Sequence, residues 1–219
     1  EKMMDTSDDW ISKRTGIKER RWVTHESSSD LGYKASLIAL EAAELSPQDL
    51  DCIIFATITP DHEFPGNACF LQHKLGLAGI AAIDIRQQCT GFVYGLSIAD
   101  QYIRSGMFKN ILLVGAEVHS KGLDKTPRGR DISVLFGDGA GAVVISHKDL
   151  QNPKKDSYVY STHLHADGSY AKILWAAAPG SACHPTDRIN HEMIDNNLHF
   201  GYMEGKKVFV HAVEKMGEV

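Results

Sequence analysis

The stretch Gln87-Gln88-Cys89-Thr90-Gly91-Phe92-Val93-Tyr94-Gly95-Leu96 places a cysteine between two segments of different periodicity. Before it, Ile80-Ala81-Ala82-Ile83-Asp84-Ile85 reads as a short buried strand. After it, Phe92, Leu96, Ala99 and Ile103 recur at helical spacing, and Gly106 supplies a stop. Cys89 is therefore expected where a strand ends and a helix begins. Free backbone N–H groups and the helix dipole favour negative charge at such a point. A thiol placed there gives up its proton more easily, and the thiolate is the nucleophilic form. Thr90 and Gly91 are small enough to let a substrate approach the sulfur. The alternative is a small core cysteine without chemistry, and position alone leaves both open. The following helix stays apolar on most sides as far as Asp100, which predicts a buried helix rather than a surface one.

Other residues with chemical potential are less well placed. His163 and His165 would share one strand face, with Asp167 next in the alternation. No further ligand stands at a matching spacing, so a polar strand face is the plainer reading and no metal is expected. Gly137-Asp138-Gly139-Ala140-Gly141 lacks the G-x-G-x-x-G spacing and leads into a β-branched run, not a helix, so a nucleotide loop is rejected. It is expected to be a tight turn where backbones pass closely, with Asp138 a turn residue rather than a catalytic acid. The remaining cysteines, Cys52, Cys69 and Cys183, form no C-x-x-C pair with each other or with Cys89. Their number in a chain of 219 residues does not suggest a disulfide scaffold, and a reducing cytoplasm is the natural reading. Cys89 is expected to be the most readily alkylated of them.

The elements that position Cys89 follow from the patterning. Ser27 to Asp30 are helix-capping types, and helical periodicity runs from Leu31 to about Leu45, with Pro47 beyond. Residues 53 to 58 form a continuous β-branched run, the mark of a strand buried on both faces. Pro60 and Pro65 bracket a loop, and residues 67 to 75 read as a helix ended by Gly76. Strand 80–85, helix 89–105 and strand 111–115 complete a run of βαβ units, which implies a mostly parallel sheet. A long polar loop spans Glu117 to Asp131, and apolar runs at 134–136 and 142–145 flank the glycine cluster. Asn152-Pro153-Lys154-Lys155-Asp156 is the best linker candidate. Beyond it, Tyr158 to Leu164 alternate as a half-buried strand, 176–202 is irregular, and Met203 to Met216 reads as a helix. Near the start, Thr6, Ser7 and Asp8 are N-cap types ahead of Trp10 and Ile11.

Composition is that of a globular domain, 43% hydrophobic and 23% charged, long enough for one or two domains. A net charge of −5 argues against a nucleic-acid binder. No apolar run approaches the roughly 18 residues that a membrane helix needs, and no signal-peptide pattern is present. The chain begins at Glu1, so the natural N-terminus is expected further upstream.

Cys89 and its flanks resemble the active-site stretch of the β-ketoacyl-[acyl-carrier-protein] synthase III family, in the thiolase superfamily. Three further segments match in the family's order. They are Thr6-Ser7-Asp8-Asp9-Trp10-Ile11 running into Arg14-Thr15-Gly16-Ile17, then Phe64-Pro65, then Phe136-Gly137-Asp138-Gly139-Ala140-Gly141-Ala142. The match is good over roughly residues 1 to 150 and thinner beyond, returning at Met203-Glu204-Gly205 and Val208-Phe209. The resemblance implies an α/β fold of the thiolase type, mainly parallel sheets with helices packed against and between them. It implies an N-terminal thiolase-like half over 1–150, its first strand missing, and the truncated start of a C-terminal half over 151–219.

The implied activity is the initiating condensation of fatty-acid synthesis. An acyl-coenzyme A acylates Cys89, and malonyl-acyl-carrier protein then loses carbon dioxide and attacks the acyl group. By position, Trp10 would pack on the adenine of coenzyme A and Arg14 would approach its pantetheine–phosphate arm. Arg130, counted back from Phe136-Gly137-Asp138, would contact coenzyme A as well. Phe64 would cross a homodimer interface to close the partner's acyl pocket. Without the resemblance, Trp10 reads as a core residue, the arginines as solvated charges and Phe64 as local packing. Coenzyme A thioester enters as substrate, and no cofactor, nucleic acid or membrane is implied. The family's catalytic histidine and asparagine have no counterpart here. His211 lies too close to the Met203–Gly205 match and no asparagine follows it, so the protein is expected to be longer than this sequence. The alternatives are another condensing enzyme of the superfamily, making a polyketide or a head-to-head acyl product, and a non-catalytic partner subunit, against which Cys89 itself speaks.

Overall fold

The computed structural model describes residues 3–148 and 156–218, so the linker predicted at 152–156 lies outside the described residues except for Asp156. In chain order the helices are α1 (Asp8–Thr15), α2 (Ser28–Ala42), α3 (Asn67–Lys74), α4 (Gly91–Arg104), α5 (Arg130–Ser133), α6 (His191–Asp195) and α7 (Gly205–Gly217). The strands are β1 (Cys52–Ala56), β2 (Ala81–Ile85), β3 (Asn110–Val118), β4 (Asp138–Ser146), β5 (Leu174–Ala176) and β6 (Gly201–Met203). Two compact units result. One comprises Glu1–Arg20, His119–Phe136 and His165–Val219; the other comprises Arg21–Val118 and Gly137–Leu164.

The second unit is built on a four-stranded sheet of order β2-β1-β3-β4. β1 runs parallel to β2 and β3, and β4 runs antiparallel to β3. The β-branched run behaves as its composition predicts: every residue of β1 is buried. Successive side chains go to opposite faces. Ile53 and Phe55 join Leu112, Val114, Leu40 and Leu71 in one cluster, while Cys52 and Ile54 join Ile111, Leu113 and Ala99 in another. Ser27 caps α2 in a reciprocal capping box with Asp30, as its residue types suggest.

Three expectations need correction. First, α4 is one-sided rather than enclosed. Only Gly91, Gly95 and Ala99 are buried, and Val93 is 44% exposed. The small residues form a stripe that lets the helix backbone lie tight on the sheet. A Cβ at Gly95 would come within 2.5 Å of the Leu113 side chain. Second, the glycine cluster is not a tight turn. Gly139, Ala140 and Gly141 pair with Glu117, Ala116 and Gly115, and a Cβ at either glycine would meet nothing within 4 Å among the described residues. The continuous antiparallel ladder outweighs glycine's poor strand preference, and it lengthens β3 into what reads in sequence as loop. Asp138 therefore opens a strand; its carboxylate accepts from the Val23 N–H at 2.8 Å. Third, Tyr158–Leu164 forms no strand, because alternation without a ladder partner does not make one.

The first unit holds α1 against a small cluster of Met4, Ile11 and Val134, flanked by Trp10, Ile17 and Leu135. Ser7 caps α1 by accepting from the Trp10 N–H at 3.1 Å, and Gly16 ends it in the left-handed conformation, φ 73°. The region 176–202 is more ordered than its composition suggests. It contains α6, capped by Asn190, and at its borders β5 pairs antiparallel with β6. α7 stands where a helix was expected.

Candidate active site

Cys89 lies in a 3₁₀ turn, Gln88–Thr90, that leads directly from β2 towards α4. The thiol is exposed. The Thr90 N–H and hydroxyl both donate to the Gln87 carbonyl, at 3.1 and 3.0 Å, which closes the turn. Gln88 takes φ 40°, a left-handed conformation that costs a side chain of this type about 1–3 kcal/mol. No local sequence signal, such as a glycine, announces that strain. Among the other thiols, Cys52 is fully buried, and burial first, then Asp51, pushes it up to about 11. Cys183 donates to the Ala177 carbonyl at 2.6 Å. Cys69 is exposed and is the third residue of α3, so it matches Cys89 in access and in proximity to a helix start.

Phe64, 82% exposed, stands on the loop between β1 and α3. Three carboxylates hold that loop, and none of them stands out in the sequence. At its beginning, Glu117 of β3 accepts from the N–H groups of Ile58 and Thr59, at 3.0 and 3.1 Å, and from the Thr59 hydroxyl at 2.5 Å. The Thr59 oxygen in turn accepts from the Val118 N–H at 2.8 Å. In the middle, Asp61 accepts from the Ser29 N–H at 2.9 Å, the Ser27 hydroxyl at 2.9 Å and the Ser29 hydroxyl at 2.5 Å. Burial alone would raise the Asp61 carboxyl; these bonds more than offset it and hold the group below the usual range. At the end of the loop, Asp84 of β2 accepts from the N–H groups of Asn67 and Ala68, at 2.6 and 2.7 Å, and so caps α3. The Thr57 N–H donates to the Ile85 carbonyl at 3.1 Å, which ties the loop to the end of the strand that delivers Cys89.

The first unit gathers the other three predicted residues. The Arg14 guanidinium lies 4.4 Å from the Trp10 ring centroid and the Arg130 guanidinium 4.9 Å. Arg14 also donates to the Trp10 carbonyl at 3.3 Å, and Arg130 to the Asp5 carbonyl at 3.2 Å. Guanidinium against indole is a cation–π contact. The loop ahead of Arg130 is knotted around Asp124, which is 7% exposed. Its carboxylate accepts from the Thr126 N–H and hydroxyl, at 3.0 and 2.7 Å, and from Arg128 at 2.7 Å. Gly129 is obligatory there, because a Cβ would stand 2.0 Å from the Asp124 carbonyl oxygen. Trp10, Arg14 and Arg130 are thus brought together, while Cys89 and Phe64 belong to the other unit. Among the described residues, no group of three or more histidine, cysteine, aspartate or glutamate side chains is arranged to hold a metal ion.

Residues 83–168, from β2 through Cys89 and β4, match the family model for 3-oxoacyl-[acyl-carrier-protein (ACP)] synthase III. The chain is 46% identical over 218 residues to a β-ketoacyl-[acyl-carrier-protein] synthase III of Caldanaerobacter subterraneus subsp. tengcongensis, covering 99% of the chain and 62% of that protein. It is 46% identical over 219 residues to one of Clostridioides difficile, covering 100% of the chain and 63% of that protein. The crystal structure of 3-oxoacyl-[acyl-carrier-protein] synthase III from Aquifex aeolicus VF5 is 40% identical, with a TM-score of 0.84, over 100% of the chain and 62% of that structure. The chain therefore spans about three fifths of the length of the relatives it matches. The fold is the α/β thiolase type expected from the sequence. Identity over the full length of the chain, together with the ordered motifs around Cys89, makes the chain similar throughout to β-ketoacyl-[acyl-carrier-protein] synthases III.

Proposed function

We propose that the chain carries the nucleophile of a condensing enzyme that starts fatty-acid synthesis. Residues 1–150 are assigned to the N-terminal half of the thiolase-type fold and 151–219 to the opening of its C-terminal half. The observation that carries the reading is an exposed Cys89 at the β2–α4 turn, in a chain 46% identical to synthases of this name. The Cys89 thiolate attacks the carbonyl carbon of an acyl-coenzyme A. A tetrahedral oxyanion forms, with the Cys89 backbone N–H as candidate donor to it, and coenzyme A leaves as its thiolate. The carbanion that malonyl-acyl-carrier protein yields on losing carbon dioxide then attacks the acyl carbon, the bond to the Cys89 sulfur breaks, and the 3-oxoacyl product leaves as the Cys89 thiolate is regenerated.

Trp10, Arg14 and Arg130 are assigned to coenzyme A. They combine a flat aromatic surface with two cations, which suits a nucleotide bearing phosphates. Phe64 is assigned to the acyl pocket across a homodimer, and its exposure supports that role. No resident cofactor or metal enters these steps. A cytoplasmic location fits the unpaired state of Cys52, Cys69, Cys89 and Cys183. Incubation with acetyl-coenzyme A followed by intact-mass and peptide mapping tests the reading. It predicts one acetyl group on Cys89, absent from Cys89→Ser; no adduct, or one on another cysteine, would overturn it.

A further inference from the structure

We infer that Glu117 is a positioning residue that sets which acyl chains Cys89 accepts, by fixing the loop that presents Phe64. The inference rests on Cys89 as the acylated residue and on Phe64 as part of an acyl pocket. Glu117 occupies a particular place in the sheet. The parallel ladder between β1 and β3 ends at the pair Ala56 and Gly115. Beyond it, main-chain pairing stops and the Glu117 carboxylate takes over, binding the N–H groups of Ile58 and Thr59 and the Thr59 hydroxyl. Hydrogen bonds to a carboxylate are stronger than those between neutral groups, so this side chain is an effective continuation of the ladder. The far end of the loop is held independently, by Asp84 on the first N–H groups of α3. The loop is thus a strap held at its start by Glu117, in its middle by Asp61 and at its end by Asp84, with Phe64 between the last two. Loss of Glu117 frees the start of the strap and leaves Asp61 and Asp84 in place, so the strap loosens rather than unfolds.

The same anchor communicates with the nucleophile. Thr57, one residue before Ile58, donates its N–H to the Ile85 carbonyl at the end of β2. Glu117 therefore sets the strap against the strand from which Cys89 emerges. In Glu117→Gln an NH₂ group replaces one acceptor oxygen and faces a backbone or hydroxyl donor, which breaks at least one of the bonds. A strap free to move closes less firmly over the acyl chain, so long primers gain on short ones.

The test measures acylation of Cys89 in the full chain by intact-mass time courses, with acetyl- and octanoyl-coenzyme A as probes. Wild type, Glu117→Gln, Phe64→Ala and the double variant are compared. The octanoyl-to-acetyl rate ratio is expected to rise about tenfold in Glu117→Gln, the scale at which pocket contacts discriminate apolar groups. A comparable rise is expected in Phe64→Ala, and the double variant should go no further than Phe64→Ala alone. A merely destabilised Glu117→Gln would lower both rates by one factor and leave the ratio unmoved, which would overturn the inference. So would ratios that multiply in the double variant. Failure of wild-type Cys89 to acylate at all would instead overturn the functional reading, before any variant is compared.

Discussion

Cys69 and Cys89 are both exposed close to helix starts, so access alone does not separate them. What is expected to separate them is chemistry with a substrate. Iodoacetamide is expected to label both and to spare Cys52, whose thiol is buried and raised to about 11. Prior incubation with acetyl-coenzyme A is expected to protect Cys89 and leave Cys69 reactive. Peptide mapping that shows Cys69 protected instead would remove Cys89 from its assigned role. For the cationic residues, Arg14→Ala and Arg130→Ala are each expected to raise the KM for acyl-coenzyme A more than they lower kcat, because the contacts proposed for them would act on a remote part of the substrate. An unchanged KM in both would separate the Trp10 cluster from coenzyme A. At this scale the sequence exposes residues embedded in motifs, such as Cys89 and Trp10. It does not expose Glu117, which reads as the first residue of a polar loop because its partners lie 58 to 60 positions away. Nor does it expose Gln88, where the strain is imposed by the turn rather than by the residue type.

Among the elements, α4 shows why a periodicity can be right and its environment wrong. Apolar residues on most sides suggest enclosure, yet close approach is made by the smallest ones, Gly91, Gly95 and Ala99. Gly95→Val is expected to destabilise the protein by about 1–3 kcal/mol through overpacking against the fully buried Leu113. Urea unfolding should show a lower midpoint with an unchanged slope; an unchanged midpoint would mean that α4 does not lie tight on β3. A second prediction concerns the start of α2. Lys74 of α3 donates to the Asp30 carboxylate at 2.5 Å, and this bond first, then the Ser27 N–H, lowers Asp30 from 3.8 to about 2. A carboxyl lowered in the folded state stabilises it above the unfolded value and loses that contribution as pH falls through the folded one. Asp30→Asn keeps an acceptor for the cap but not the charge. Its stability deficit relative to wild type is expected at neutral pH and to shrink as pH falls from about 4 to about 2. A deficit independent of pH over that window would show that the Lys74 pair contributes nothing. The capping box is legible from Ser27 and Asp30 alone, whereas the link to Lys74 requires the tertiary structure.

For the whole molecule, the question is what covers Phe64. The loop beneath it is held by Glu117, Asp61 and Asp84, so the ring is presented outward by a fixed support and does not tuck itself in. A large aromatic group kept 82% exposed in this way suits the interface role proposed for it. Homo-oligomers most often close by a two-fold axis, which would bury the ring once from each protomer. Covering a phenylalanine side chain is worth about 1.5–3 kcal/mol, so two of them contribute about 3–6 kcal/mol to a symmetric dimer. Phe64→Asp removes both and places a carboxylate at each site, and the dissociation constant is expected to rise by about 10²–10⁴-fold. Light scattering of the full chain at micromolar concentration is expected to give a dimer for wild type and a shift towards monomer for Phe64→Asp. A wild-type monomer would remove Phe64 from any partner's pocket. A dimer that survives Phe64→Asp undiminished would place the two-fold interface elsewhere, and the acyl-chain effect of Glu117 would then have to act within one protomer.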